Sequence, residues 1–179
     1  MFERFNIPAL YVANPSVLSG YATGRTTCLV LDCGEDKSHS VPLYEGYRIR
    51  QATRSTDMAG RAVTNEIIRA LEGRGLLSNT MAGRDIAVDI KENYCLVAHE
   101  GNENIAWRVN VPEQMYELPD GTMIDIREER EECPEVLFQP SLICQRISCR
   151  GGVGCRKPSA VHNIVIDSIQ TFGADFEFL

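Results

Sequence analysis

Strand-like and helix-like runs alternate along this 179-residue chain and predict an α/β fold. Three observations carry the expectation. Thr26 to Tyr47 holds two β-favouring runs, Cys28–Leu31 and Ser40–Tyr44, around a polar turn from Asp32 to Ser38. Asn14-Pro15 pairs a good N-cap with the residue favoured at the first helical position. Pro119-Asp120-Gly121 separates two short strand-like runs, with Pro presetting one turn dihedral and Gly supplying the other.

In order along the chain, Ala9–Ala13 reads as a short buried strand, and the helix opened by Asn14-Pro15 runs to about Ala22, with Gly24 closing it. After the first hairpin, Tyr47–Gln51 reads as another strand. Gly60–Leu71 places Val63, Ile67, Ala70 and Leu71 on one helical face, and Thr80–Val97 repeats the pattern with Ile86, Val88, Ile90 and Tyr94. Gly73–Ser78 is the break between them. His99–Gln114 has no sustained period and reads as a loop. Tyr116–Leu118 and Met123–Ile126 form the second hairpin, Arg127–Glu132 reads as a solvated helical turn, and Ser159–Phe178 as a helix and its exit.

The 18 basic and 25 acidic residues leave a net charge of −7, which argues against a general nucleic-acid or anionic-membrane binder. No apolar run approaches the length of a membrane span, and Met1-Phe2-Glu3-Arg4 lacks a signal-peptide pattern. Seven Cys without a secretory signal point to reduced thiols and a cytoplasmic location. Cys144, Cys149, Cys155 and His162 are spaced more loosely than structural zinc ligands, so a surface insertion or loop is the favoured reading there.

The hairpin tip is the candidate site. Backbone N–H groups of a Gly-containing turn can converge on an anion, and an acidic side chain at a strand end can hold a hydrated divalent cation. The same residues also serve turn geometry alone in many surface hairpins. On residue type, Asp32 is a strand-end cap or a metal holder, His39 a core histidine, and Lys91 with Glu92 an exposed helix face.

From Phe2 to about Pro140 the chain resembles the middle of an actin or actin-related protein. The resemblance is carried by Phe2–Val12, Gly24-Arg25-Thr26-Thr27, Pro42–Tyr47, Asp57–Arg61, Asp89–Glu92, Tyr116–Gly121 and Cys133–Pro140, in the family's order and nearly its spacing. It implies the two-lobed actin-like ATPase fold, ribonuclease H-like, of which this chain covers mainly the lobe with the second phosphate-binding hairpin. It divides the chain into a partial actin-like domain at 1–140, comprising a hairpin part with the phosphate loop at 1–59 and a helical insert-like subdomain at 60–140, and a divergent segment at 141–179.

The implied ligand is ATP or ADP with Mg2+ or Ca2+. By resemblance, Asp32 holds the metal through water, and Gly34, Glu35, Asp36, Lys37 and Ser38 form the loop whose amides contact the phosphates. His39 lies near the attacking water, Gly60 lies beside the nucleotide, and Lys91 and Glu92 contact the adenosine. The implied partners are other actin or actin-like subunits and actin-binding proteins, the implied setting is the cytoskeleton, and the Glu131–Gln145 neighbourhood matches a filament contact.

Departures from the family pattern point to impaired hydrolysis. Pro15 stands where the family has a water-positioning glutamine, and Val88 where it has an arginine. Glu35-Asp36-Lys37 replaces an aspartate, a glycine and a small apolar residue. The first phosphate loop and the later adenine-covering segment have no counterpart, so the expectation is a fragment or degenerate copy with one wall of the cleft. The competing expectation is a non-catalytic actin-like interaction or scaffold module that neither polymerises nor hydrolyses ATP.

Overall fold

Asn14 starts the first substantial helix as its side chain dictates: Oδ1 accepts a hydrogen bond from Ser16 N at 3.0 Å, and Pro15 takes the first helical position. The computed structural model describes residues 2–97, 114–146 and 159–176, with side chains described through 143 and 173 in the last two stretches. One turn, α1 (Phe2–Phe5), precedes α2 (Pro15–Ala22). Thr23 N and Arg25 N both donate to Gly20 O, and Gly24, at φ +72°, turns the chain out of the helix. As the sequence predicts, the fold is mixed α/β with antiparallel sheets.

The chain divides into two compact units. The first holds Met1–Asp32, His39–Ser55 and Ile164–Leu179. Its sheet runs β1 (Cys28–Cys33), β2 (Ser38–Tyr44), β3 (Tyr47–Arg48), with β4 (Arg54–Thr56) also paired to β2. Glu45 and Gly46, at φ 49° and +84°, make the tight turn that sets Tyr44 opposite Tyr47. The strand expected over Tyr47–Gln51 is thus two residues long. Gly20 lets α2 approach the sheet, because a Cβ there would lie 2.7 Å from Leu43 Cδ1. Helix α7 (Val161–Phe176) buries Ile164 and Ser168 one turn apart, and its Phe172 ring lies 6.5 Å from that of Tyr44.

One expectation fails in this unit. Ala9–Ala13 is not a strand: Tyr11 is 89% and Val12 84% exposed. An apolar extended run is buried only when another strand or face covers it, and none of the described residues does so.

The second unit holds Cys33–Ser38 and Thr56–Asn163. Its spine is α3 (Gly60–Gly73), which buries Val63, Thr64, Ile67, Ile68 and Leu71 at helical spacing. Gly75, at φ +70°, and the bond from Leu76 N to Leu71 O end that helix. Thr80 caps α4 (Met81–Asn93) by accepting from Gly83 N at 3.1 Å. That helix stops before the expected Val97 because Leu96 N turns to donate to Arg130 O at 3.0 Å.

The hairpin of β5 (Gln114–Glu117) and β6 (Met123–Ile126) sets Tyr116 opposite Ile124, and Gly121 at φ +81° makes the turn. Tyr116 donates its hydroxyl to Asp89 Oδ2 at 2.8 Å; burial first, then this carboxylate, pushes the phenol up to about 12. The helices α5 (Glu129–Glu135) and α6 (Ser141–Arg146) follow.

The charged run leading into α5 is not solvated on all sides. Arg130 is buried, and its Nε donates to Tyr94 O at 2.8 Å. Glu129 accepts from Arg74 at 2.8 Å. Tertiary partners override the helical-wheel reading there. Except for Gln114, the loop expected over His99–Gln114 lies outside the described residues or at their edge, as do Cys149 and Cys155. His162 stacks on Phe138 with ring centroids 6.4 Å apart.

Two glycines bracket the packing tolerance. A Cβ at Gly83 would strike the backbone carbonyl of Ser78, whereas one at Gly173 in α7 meets nothing within 4 Å. We expect Gly83→Ala to lower unfolding free energy by about 1–3 kcal/mol. Gly173→Ala should raise it by about 0.5–1 kcal/mol. Urea titrations of the three chains decide both.

Candidate functional site

The hairpin tip is shaped by its own backbone. Gly34 N donates to Lys37 O at 3.1 Å and closes the turn. The carbonyls of Gly34 and Glu35 then accept from Gly60 N at 3.0 Å and Arg61 N at 2.7 Å. These are the first amides of α3, whose N-cap, Ala59, offers no side-chain oxygen. Below the tip, the fully buried Ser38 donates its hydroxyl to Met58 O at 2.6 Å. The amides of Glu35, Asp36 and Lys37 have no protein acceptor among the described residues.

Three ion pairs complete the seat. Glu35 Oε2 lies 3.1 Å from Lys91 Nζ, Asp36 Oδ1 2.6 Å from Arg61 Nη2, and Lys37 Nζ 3.8 Å from Asp57 Oδ1. The last two pairs are more than half exposed at both ends and contribute little. Lys91 differs, with its side chain only 17% exposed. Gly60 makes room for this pair, since a Cβ there would lie 2.6 Å from Glu35 Oε2 and 3.3 Å from Lys91 Nζ.

Beside the tip lies a cleft of about 260 Å³. Gly34, Gly60 and Lys91 line one part, and Leu96, Val97, Pro134 and Leu137 supply an apolar wall. An ammonium facing an apolar wall suits a ligand with an anionic or hydroxylated part and a flat apolar part. A second cleft, about 560 Å³, runs along Asp36, Lys37, Asp57, Arg61 and Arg69.

Of the residues singled out from sequence, the structure brings Gly34, Glu35, Gly60 and Lys91 together. Asp36 and Lys37 face the second cleft, Ser38 is a buried structural hydroxyl, and Glu92 is exposed on α4 and lines neither cleft. Asp32 and His39 belong to the other unit, the first exposed at the end of β1, the second half-buried in β2. Sequence reasoning missed the apolar wall, whose Leu96 and Val97 follow α4, whose Pro134 lies in α5 and whose Leu137 follows it; the last two sit in the quoted Cys133–Pro140 string, but nothing there marks them as cleft lining. It also missed Asp57 and Arg61 as ion-pair partners, although both sit in the quoted Asp57–Arg61 string. Among the described residues no three His, Cys, Asp or Glu side chains gather as a metal-ligand set.

A family model described as Actin matches residues 1–177. The chain belongs to the actin family. Members of the actin family generally bind nucleotide, and the mixed α/β architecture with antiparallel sheets fits the actin-like fold. No helix among the described residues is long and apolar enough to cross a membrane.

Cys95 on the cleft wall offers a probe of this environment. Burial pushes its thiol from 9.0 up to about 11, against the opposing pull of Arg130 and Lys91. Alkylation of Cys95 by iodoacetamide, followed by peptide mass spectrometry, should keep accelerating above pH 9 and level off near pH 11. A plateau at pH 9 would contradict the burial.

Proposed function

We propose that this chain is an actin-like protein that binds ATP or ADP with Mg2+ or Ca2+ at the hairpin tip, weakly, and without appreciable hydrolysis. The observation that carries the reading is the set of unengaged amides of Glu35, Asp36 and Lys37 at a tip flanked by Gly34, Gly60 and Lys91, in a chain of the actin family. Those amides would contact phosphate oxygens, Lys91 the adenosine, and Gly60 allows close approach, whereas for Glu92, outside both clefts, an adenosine contact rests on the family resemblance alone. Asp32 would hold the cation through water, and His39 would lie near the attacking water. The bound metal would supply charge neutralisation for the phosphates.

Slow hydrolysis follows from Pro15. Its ring heads α2 and carries no amide to orient water, and phosphoryl transfer depends on a positioned nucleophile. A second reading, a cytoplasmic scaffold that joins actin-like subunits and actin-binding proteins in the cytoskeleton without using nucleotide, is favoured by the exposed run Leu10-Tyr11-Val12 and by the paired charges of the tip.

Calorimetric titration of MgATP into the purified chain, shown to be folded by circular dichroism, separates the two. Nucleotide binding requires a saturable heat that Asp32→Ala weakens by about tenfold or more, as for loss of a metal-holding carboxylate. A folded chain with no heat of binding leaves the scaffold reading.

A further inference from the structure

We infer that Glu35 is a tethered competitor for the nucleotide: its carboxylate holds the Lys91 ammonium over Gly60, and it must leave before a bound ligand can use that cation. The inference rests on the nucleotide reading above and names what limits affinity at that same site. Its geometry is the 3.1 Å contact between Glu35 Oε2 and Lys91 Nζ, in the space beside Gly60 that a Cβ would fill. Lys91 is the cation lining the 260 Å³ cleft among the described residues, and its side chain is mostly buried. A partly desolvated ammonium is held most firmly by the nearest anion, and an anion tethered beside it by the fold acts at high effective concentration.

The backbone frees this side chain to act. Glu35 caps α3 through its carbonyl, which accepts from Arg61 N, so substituting the side chain leaves the cap in place. Its neighbour Asp36 carries the same charge but faces Arg61 at 2.6 Å instead of Lys91. That neighbour is the natural control for the general effect of removing one negative charge near a polyanion.

The apparent dissociation constant is the intrinsic one divided by the fraction of chains with Lys91 free. A pair of this exposure, held most of the time, corresponds to about a three- to sixfold penalty. MgATP titrations of the full chain, Glu35→Gln, Asp36→Asn, Lys91→Gln and the Glu35→Gln/Lys91→Gln double variant test this. We expect Glu35→Gln to bind about three- to sixfold tighter, Asp36→Asn to change by less than about twofold, and the gain to vanish once Lys91 is replaced. An equal gain in Asp36→Asn, or a gain that persists without Lys91, overturns the inference in favour of general charge. Unchanged affinity in Glu35→Gln overturns it and leaves nucleotide binding standing. Absence of binding in every chain overturns both. Should Glu35→Gln fail to fold, Glu35→Asp, whose shorter carboxylate retracts from Lys91, is subject to the same criteria.

Discussion

The two hydrogen bonds from the first amides of α3 to the carbonyls of Gly34 and Glu35 are the constraint on which the site depends. A helix whose N-cap is Ala begins with donors that no side chain satisfies, and α3 is the spine of its unit. The hairpin tip supplies the missing acceptors. Each such bond contributes on the order of 1 kcal/mol, against less for the exposed ion pairs around it. The backbone therefore fixes where the tip lies, and side-chain charges adjust to that placement. Glu35 and Asp36 then stand near the positive end of the α3 dipole, which adds a favourable term of the same sign.

Much of this was legible before the structure. The Asn14-Pro15 start, both hairpins and the buried stripe of α3 follow from local chemistry, which needs no knowledge of distant residues. The resemblance implies that Gly60 lies beside the nucleotide; the structure sets it against the loop, its N–H donating to Gly34 O. What escaped were features set by long-range partners. Arg130 reads as one more charge in a charged run until Tyr94 O is seen to accept its Nε–H. Helix α4 ends early because Leu96 N finds Arg130 O, an acceptor far along the chain. Ala9–Ala13 has the composition of a buried strand, but burial is a property of the surroundings, and Tyr11 and Val12 stand in the open.

At the candidate site the residue types were readable and their engagement was not. Lys91 and Glu35 were both expected to face a ligand; the structure turns them towards each other. The apolar wall of Leu96, Val97, Pro134 and Leu137 comes from the chain that leaves α4 and from α5 and the residues after it, so no single stretch announces it. Ser38 shows the opposite case. A hydroxyl in a phosphate-loop string looks available from sequence, yet it is fully buried and donates to Met58 O.

The tip and its seat are complementary charge by charge: Glu35, Asp36 and Lys37 meet Lys91, Arg61 and Asp57 in turn. The pattern bears on how a loop of this shape can change without losing its place. Because the carbonyls of Gly34 and Glu35 carry the anchoring, the side chains at the tip are free to vary, provided each new charge finds an opposite one on α3, α4 or the segment before α3. That freedom has a consequence for ligand binding. A small side chain at the tip leaves the Lys91 ammonium to whatever anionic or hydroxylated ligand arrives, whereas a carboxylate that reaches it neutralises it in advance. The same loop can keep its fold, its cap and its free amides, and still present a site whose main cation is already taken.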